Sequence, residues 1–432
     1  MTETSPADAE TSPQPSGTTA SKGGTASPTY FATLGFATFG LYLALLTPVF
    51  VSMAFKLQHI TSSPEAAVGA LGLVTGVGSL FALVANPLVG RLSDRTTSRW
   101  GRRRPWILGG ALVGVLSCLL IGVADEVWVV LVGWCLTQAA INGALAATNA
   151  TVPDQVSPAR RGLASGIIGV MTSVAILGGS FLVNFIAGDV GRFLAPALVA
   201  LVAAAVFVIT LDDRKLTTAP RERYGIRDFF GSFVFDPVRH RDFALAWLTT
   251  FLVMFGYAGV ATFLPLYLSD RFALQEQEAI GIVLLCNLAS TIATAVSGAL
   301  AGIASDRTGR RRVFVTAAGV IMAGGLILMA VAPSVPVVIV GQGLIGLGAG
   351  AFLAVSLALA TQVLPDPADT AKDLGVLNIA NALPQSIAPA IAPFIIAVGA
   401  TTVLGGYTVF YLFGALVVLA GAFVVYLIKG VR

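Results

Sequence analysis

Seven side-chain amides stand in stretches of sequence that are otherwise apolar. Gln138, Asn142 and Asn149 recur at i, i+4 and i+11, and Asn378, Asn381 and Gln385 at i, i+3 and i+7. Asn287 is followed by Thr291 and Thr294 at i+4 and i+7. On a helix each set falls near one face. An amide joins donors and an acceptor in one neutral group, which suits the hydroxyls of a sugar or another neutral polar solute. The same groups also bond helix to helix inside a membrane, at about 0.6–2 kcal/mol per contact, and both readings stand for each residue. Asn378-Ile-Ala-Asn381-Ala-Leu-Pro384-Gln385 is the strongest set, because Pro384 also frees backbone carbonyls. Tyr42, Tyr257 and Trp247 are aromatic candidates for the same surface, although most aromatics here pack or anchor at an interface.

Other chemistry is excluded by what the chain lacks. His59 and His240 are the only histidines, and both lie in polar segments. Cys118, Cys135 and Cys286 sit in apolar runs without ligand neighbours. No zinc site and no Ser-His-Asp arrangement is expected from such a set, and the reading is of a chain with no metal, no cofactor and no enzymatic activity. Gly341-Gln-Gly343-Leu-Ile-Gly346 matches a dinucleotide-binding pattern, but no strand precedes it in its apolar run. Those glycines, like Gly162, Gly166 and Gly169, are expected to let helices approach closely.

The elements that carry these residues are membrane-spanning. Of 432 residues, 56% are hydrophobic and 11% charged, and the mean hydropathy is +0.85. Soluble domains carry about 25% charged residues, so a soluble enzyme, a disordered chain and a nucleic-acid binder are excluded. Residues 1–29 read as a disordered tail, rich in Ser, Thr, Pro, Ala and Gly. Twelve apolar runs follow, near 30–54, 66–90, 104–124, 127–151, 159–187, 192–211, 242–268, 278–304, 312–332, 335–363, 372–398 and 404–428. Each is long enough for a helix across about 30 Å of hydrocarbon, and none alternates as barrel strands do.

Charge placement orients them. With both termini cytoplasmic, 23 of 26 Lys and Arg fall on that side, and only Lys56, Arg192 and Arg271 on the other, as the positive-inside rule requires. No Asp, Glu, Lys, Arg or His occupies the middle third of a run. That leaves no mid-membrane carboxylate to carry a proton and no buried cation to hold an anion.

The chain repeats itself. Gly90-Arg-Leu-Ser-Asp94-Arg95-Thr after the second run matches Gly302-Ile-Ala-Ser-Asp306-Arg307-Thr after the eighth, and Val152-Pro153-Asp154 matches Leu364-Pro365-Asp366, both at an offset of 212. The expected fold is all-α, with twelve transmembrane helices in two pseudo-symmetric six-helix halves, 30–211 and 242–428. A cytoplasmic linker over 212–241 joins them, and 429–432 form a cytoplasmic end. Seven basic residues of the linker accompany Phe229, Phe230, Phe233 and Phe235, as either an interfacial amphipathic helix or a tether. Duplicated halves are a mark of transporters that rock about a central site.

The two loops, each closed by an Arg-Arg-Arg run at Arg102–Arg104 and Arg310–Arg312, resemble the loop 2–3 motif of the major facilitator superfamily. Ser93-Asp-Arg-Thr-Thr-Ser-Arg-Trp-Gly-Arg-Arg-Arg-Pro-Trp106 resembles the sucrose-type glycoside–cation symporters within it. The resemblance implies that Asp94 and Asp306 meet the N-termini of helices 11 and 5 from the other half, where dipole and free N–H groups attract an anion. Arg95, Arg104, Arg161 and Arg307 complete those gating clusters. Plant sucrose symporters carry an acid and an arginine on helix 4, where Ala139 and Asn149 stand here, and no Gly-Pro marks helix 5 as in many antiporters.

The leading reading is a secondary transporter for a small neutral polar solute, with a sugar or glycoside in view. Efflux of an amphipathic compound and a non-transporting membrane receptor are the alternatives. The expected partners are the solute and membrane lipid, with a co-transported proton left open and no nucleic acid. The chain is expected to act as a monomer in the cell membrane. An impermeant thiol reagent added to intact cells is expected to label Asp125→Cys and to spare Thr97→Cys; the opposite pattern overturns the orientation.

Overall fold

The computed structural model describes residues 26–213, 215–216, 236–364 and 370–429. The expected amphipathic segment with Phe229, Phe230, Phe233 and Phe235 lies outside the described residues, as does most of the expected tail. Twelve helices of 20–33 residues are long and apolar enough to cross a membrane, and no strand occurs among the described residues. They are α1 Pro28–Ile60, α2 Pro64–Arg95, α3 Arg104–Val123, α4 Val127–Gln155, α5 Pro158–Asn184, α6 Asp189–Thr210, α7 Arg241–Phe272, α8 Glu276–Thr308, α9 Arg311–Ala330, α10 Val335–Val363 and α12 Gly406–Leu427, with α11 spanning Thr370–Ala400.

Local chemistry sets several of the ends. Helix α1 begins inside the stretch read as a disordered tail: Ser27 caps it by accepting from the Tyr30 N–H at 3.2 Å, and Pro28 takes the first turn. Proline is tolerated there because the first N–H groups of a helix lack partners anyway. Within α1, Pro48 opens a π-helical turn over Pro48–Ser52, a local widening of the helix. Helix α8 starts with a capping box in which Gln275 and Glu278 satisfy each other's backbone N–H. Helix α2 outruns its apolar stretch and carries Asp94 in its last turn.

The helices pair in the same way twice. In the first half α1 packs on α5 and α6, α4 on α2 and α3, and α3 on α6. In the second half α7 packs on α11 and α12, α10 on α8 and α9, and α9 on α12. Between the halves, α2 meets α11 and α5 meets α8. The duplication seen in the loops therefore extends to packing.

Glycines decide how closely some of these pairs approach. A Cβ added to Gly346 would lie 2.3 Å from the Ser290 carbonyl oxygen of α8, and one on Gly350 2.2 Å from that of Thr294. Gly341 and Gly348 allow the same approach to α9. The Gly341–Gly346 motif is thus a helix-packing device. Gly162, Gly166 and Gly169 are not: a Cβ at any of them meets nothing within 4 Å, because the part of α5 that bears them has no helix against that face.

Gly346→Ala is expected to destabilise the protein by about 1–3 kcal/mol through overpacking. Gly166→Ala is expected to be neutral or slightly stabilising through helix propensity. Thermal melting of both purified variants checks the pair.

Candidate functional site

The two ends of the bundle differ in chemistry. The end that carries the α2–α3 and α8–α9 loops is rich in arginine and is called the basic end here; the other is the far end.

At the basic end Arg103, buried to 3% exposure, is the hub. Its guanidinium donates to Asp94 Oδ1 at 2.5 Å, Asp154 Oδ2 at 3.3 Å, Ser93 Oγ at 2.5 Å and the Gly90 carbonyl at 3.4 Å. Arg102 donates to the other Asp154 oxygen at 2.5 Å. The N-terminus of α3 points at Asp213, whose Oδ2 accepts from the N–H groups of Arg103 and Arg104 at 2.7 and 2.9 Å. This is the anion-at-helix-start arrangement, supplied by the first residues of the linker after α6. Gly101, at φ +107°, lets Asp213 in, since a Cβ there would sit 2.2 Å from Oδ2. Arg104 is spent on the Leu211 carbonyl. Arg161 covers the end of α4, donating to the Val156 and Pro153 carbonyls at 3.3 and 3.4 Å, which suits a cation at a helix C-terminus.

The second copy is sparser. Asp306 lies 3.6 Å from Arg311, which also donates to the Ala358 carbonyl. Arg95 and Arg307 are exposed at the ends of α2 and α8. Among the described residues, the ion pairs Arg102–Asp154, Arg103–Asp154, Arg103–Asp94 and Arg311–Asp306 each stay within one half. Asp94 is held by Arg103, and the start of helix 11 expected to meet it lies largely outside the described residues.

At the far end two ion pairs cross between the halves, both onto Glu276. Arg192 of α6 pairs with Glu276 of α8. His59 of α1 lies between two carboxylates, with Nδ1 at 3.1 Å from Asp189 Oδ1 and Nε2 at 2.7 Å from Glu276 Oε2. Lys56 reaches Asp189 at 3.1 Å and the Gly122 carbonyl at 3.0 Å. Deeper down, Gln277 donates to the Asn184 carbonyl at 2.7 Å and Asn287 to Ser180 Oγ at 2.9 Å, both from α8 to α5.

The same helix faces are free toward the basic end. A helix turns about 100° per residue, so Gly162, Gly166, Gly169, Ser180 and Asn184 of α5 lie within about 60° of one another. Ser180 and Asn184 meet α8, while the three glycines face open space. On α2, Gly72 and Gly76 press against Pro389 and Ala390 of α11, and Gly90, on the same face, meets nothing within 4 Å. Among the described residues, both inter-half contacts are therefore close at the far end and looser toward the basic end.

The amides distribute along this opening. On α4 they lie about 120–160° round the helix from Ala144, which packs against Gly110 of α3. Gln138 is buried, Asn142 donates to the Gln138 carbonyl and Oε1 at 2.8 and 2.9 Å, and Asn149 is exposed. On α11, Asn378 and Gln385 are exposed and Asn381 donates to the Leu377 carbonyl at 3.2 Å. Gln385 stands one turn before Pro389, whose carbonyl faces Gly72 of α2, so the amide set continues the inter-half face into the open part. Asn287 is committed to Ser180. Tyr42 and Tyr257 are half-buried, and Trp247 donates to the Val376 carbonyl at 3.0 Å, which clamps α7 to α11. A groove of about 510 Å³ between α1 and α5 is lined by Phe31, Phe36, Phe39, Ile167, Met171 and neighbouring small residues. None of the seven amides lines it.

Sequence reasoning missed Arg103, Asp154, Asp213 and the far-end group around Glu276. It also missed Gln342, whose buried Nε2 has no partner among the described residues; a lone amide in the apolar α10 run was the available signal. No cluster of His, Cys, Asp and Glu able to hold a metal occurs among the described residues.

The model of the Major Facilitator Superfamily matches residues 30–302 and 279–431. A Synechocystis protein described as an uncharacterized symporter is 43% identical over 60 residues, which is 14% of this chain and 10% of that protein. A sucrose transport protein of Oryza sativa subsp. japonica is 36% identical over 87 residues, 20% of this chain and 14% of its own. An inner membrane symporter of Escherichia coli is 39% identical over 72 residues, 17% and 15% respectively. The matches thus span between 10% and 15% of these relatives' length. Among solved structures, the nucleoside transporter NupG shares 13% identity at a TM-score of 0.70, covering 92% of this chain and 98% of its own. A bacterial homologue of the human lysosomal transporter Spinster, inward-facing and unoccupied, shares 15% at a TM-score of 0.68, covering 93% and 96%. At such identities the likeness is one of fold.

Arg103→Met is expected to cost about 3 kcal/mol, because it strands carboxylates in a partly buried network. The exposed Arg99→Met is expected to cost under about 0.5 kcal/mol. Melting curves of the two purified variants decide whether Arg103 is the hub.

Proposed function

Because the chain belongs to the Major Facilitator Superfamily, and is with it a multi-pass membrane protein of the secondary-transporter class, we propose that it moves a small neutral polar solute, with sugars and glycosides first in line. The observation that carries this reading is the set of amides, with Asn149, Asn378 and Gln385 exposed, along an opening whose spans hold no charge in their middle thirds. An amide surface bonds hydroxyls without demanding a counter-charge. The sucrose and symporter names among the relatives support the same class. We assign the chain no enzymatic activity.

The proposed cycle is alternating access. With the basic end cytoplasmic, as the loop charges argue, the structure corresponds to an inward-open state: Arg192–Glu276 and His59–Glu276 shut the outside, and the inner parts of α5 and α8 are splayed. In the opposite state the smooth Gly162–Gly166–Gly169 face of α5 closes on α8 while the far-end pairs break. The gating role proposed for Asp94, Arg95, Arg104, Arg161, Asp306 and Arg307 belongs to that state. Here Asp94 rests on Arg103, which stores it within its own half until helix 11 approaches. The chain is read as a monomer in the cell membrane, with lipid around it and both termini cytoplasmic.

Uptake into proteoliposomes from a panel of sugars and glycosides, with and without a pH gradient, tests the substrate class. Saturable uptake of one member is expected. Asn378→Ala or Gln385→Ala is expected to raise its KM about tenfold, equivalent to about 1.4 kcal/mol. Asp94→Asn is expected to keep expression and slow uptake several-fold. Absence of uptake together with dye extrusion from cells reverses the reading in favour of amphipathic efflux.

A further inference from the structure

We propose that His59, Asp189 and Glu276 form a proton-binding site that latches the two halves at the far end. The proposal rests on the alternating-access reading and adds a ligand to it. Both ring nitrogens of His59 face carboxylate oxygens, Nδ1 that of Asp189 at 3.1 Å and Nε2 that of Glu276 at 2.7 Å. A neutral imidazole has one N–H donor and one bare nitrogen; only the protonated ring donates from both. The bare nitrogen of the neutral ring would set a lone pair against a carboxylate. Closing the latch on both carboxylates therefore takes up a proton on the ring, and releasing that proton costs one of the two links.

The placement makes this consequential. His59 of α1 and Asp189 of α6 belong to the first half and Glu276 of α8 to the second, so the Nε2–Glu276 link is the one that crosses, and a neutral ring keeps it, without its charge, only by setting a bare Nδ1 against Asp189. Its side chain is 42% exposed, and protons reach it from that side without entering the membrane. Other charges share the far end, Asp125 and Glu126 between α3 and α4 among them. Lys56 of α1 already pairs with Asp189 and Arg192 of α6 with Glu276, so proton loss weakens the latch without abolishing it. Glu65 of α2 and Asp270 of α7 repel one another across the halves. Arg271 of α7 and Glu278 of α8 lie beside this group in sequence. Acid therefore favours the closed far end, and alkali favours its opening. This gives a chain without a mid-membrane carboxylate a place where pH acts on the transport cycle.

The test uses the full chain in lipid nanodiscs, spin-labelled at Asp125→Cys in the first half and Val403→Cys in the second, both exposed at the far end. The three native cysteines are buried. Pulsed dipolar spectroscopy between about pH 5 and 8, the range in which histidine changes charge, reads the far-end-open fraction. In the otherwise unaltered protein that fraction is expected to rise at least about threefold with pH, a shift well within what loss of one link supplies. His59→Gln, with a single donor group, is expected to flatten the response. His59→Arg, always charged and with several donors, is expected to stay closed throughout. A pH response unchanged in His59→Gln, or absent from the starting protein, overturns the proposal. Glu276→Gln separates the two readings: if it opens the far end while the pH response is missing, the proton site alone falls, and if the far end stays shut in it as well, alternating access falls too.

Discussion

A charge at the centre of a bilayer costs several kcal/mol on insertion scales, and that constraint organises the whole molecule. It drives 48 charged residues out of the middle of twelve spans and concentrates them at two ends. Once there, they are paired according to where the halves meet. At the far end His59–Glu276 and Arg192–Glu276 run between the halves. At the basic end the pairs made by Arg102, Arg103 and Arg311 run within a half. Apolar packing between helices is nearly neutral against lipid, because lipid tails are as apolar as leucine. The polar struts and the close glycine contacts are thus what distinguish a closed end from an open one.

The same constraint accounts for the character of the interior. With no charge in the middle thirds, the polar groups there are neutral donors and acceptors, and six of the seven amides stand on α4 and α11. Some bond to their own helices, as Asn142 does to Gln138, and Asn287 joins α8 to α5. Asn149, Asn378 and Gln385 remain exposed along the opening. One side of a helix thereby serves two purposes along its length: α5 grips α8 through Ser180 and Asn184, then presents a smooth glycine face further down.

Much of the architecture was legible in the residues. The run lengths determine the spans, and the two Gly-x-x-x-Asp-Arg loops at one offset disclose the repeat that the packing reproduces. What was not legible depends on rotation and on distant chain. Arg102, Arg103 and Arg104 are indistinguishable in sequence, yet only the turn at Gly101 decides that Arg103 goes inward and that Asp213, 110 residues on, caps α3. The glycines at 162, 166 and 169 have the spacing of a packing motif, but whether a helix lies against them depends on the state of the two halves. His59 reads as an ordinary loop histidine because its partners lie 130 and 217 residues away.

The central claim is that the halves hinge, so that the end now open closes when the other opens. The most direct measurement places spin labels at Thr97 and Thr308, on exposed sites at the basic end of each half, in the protein reconstituted in lipid. Two distance populations are predicted, the longer matching the present structure, with their ratio shifting when a transported solute is added. A single distance, unmoved by any solute that the protein carries, would contradict the account.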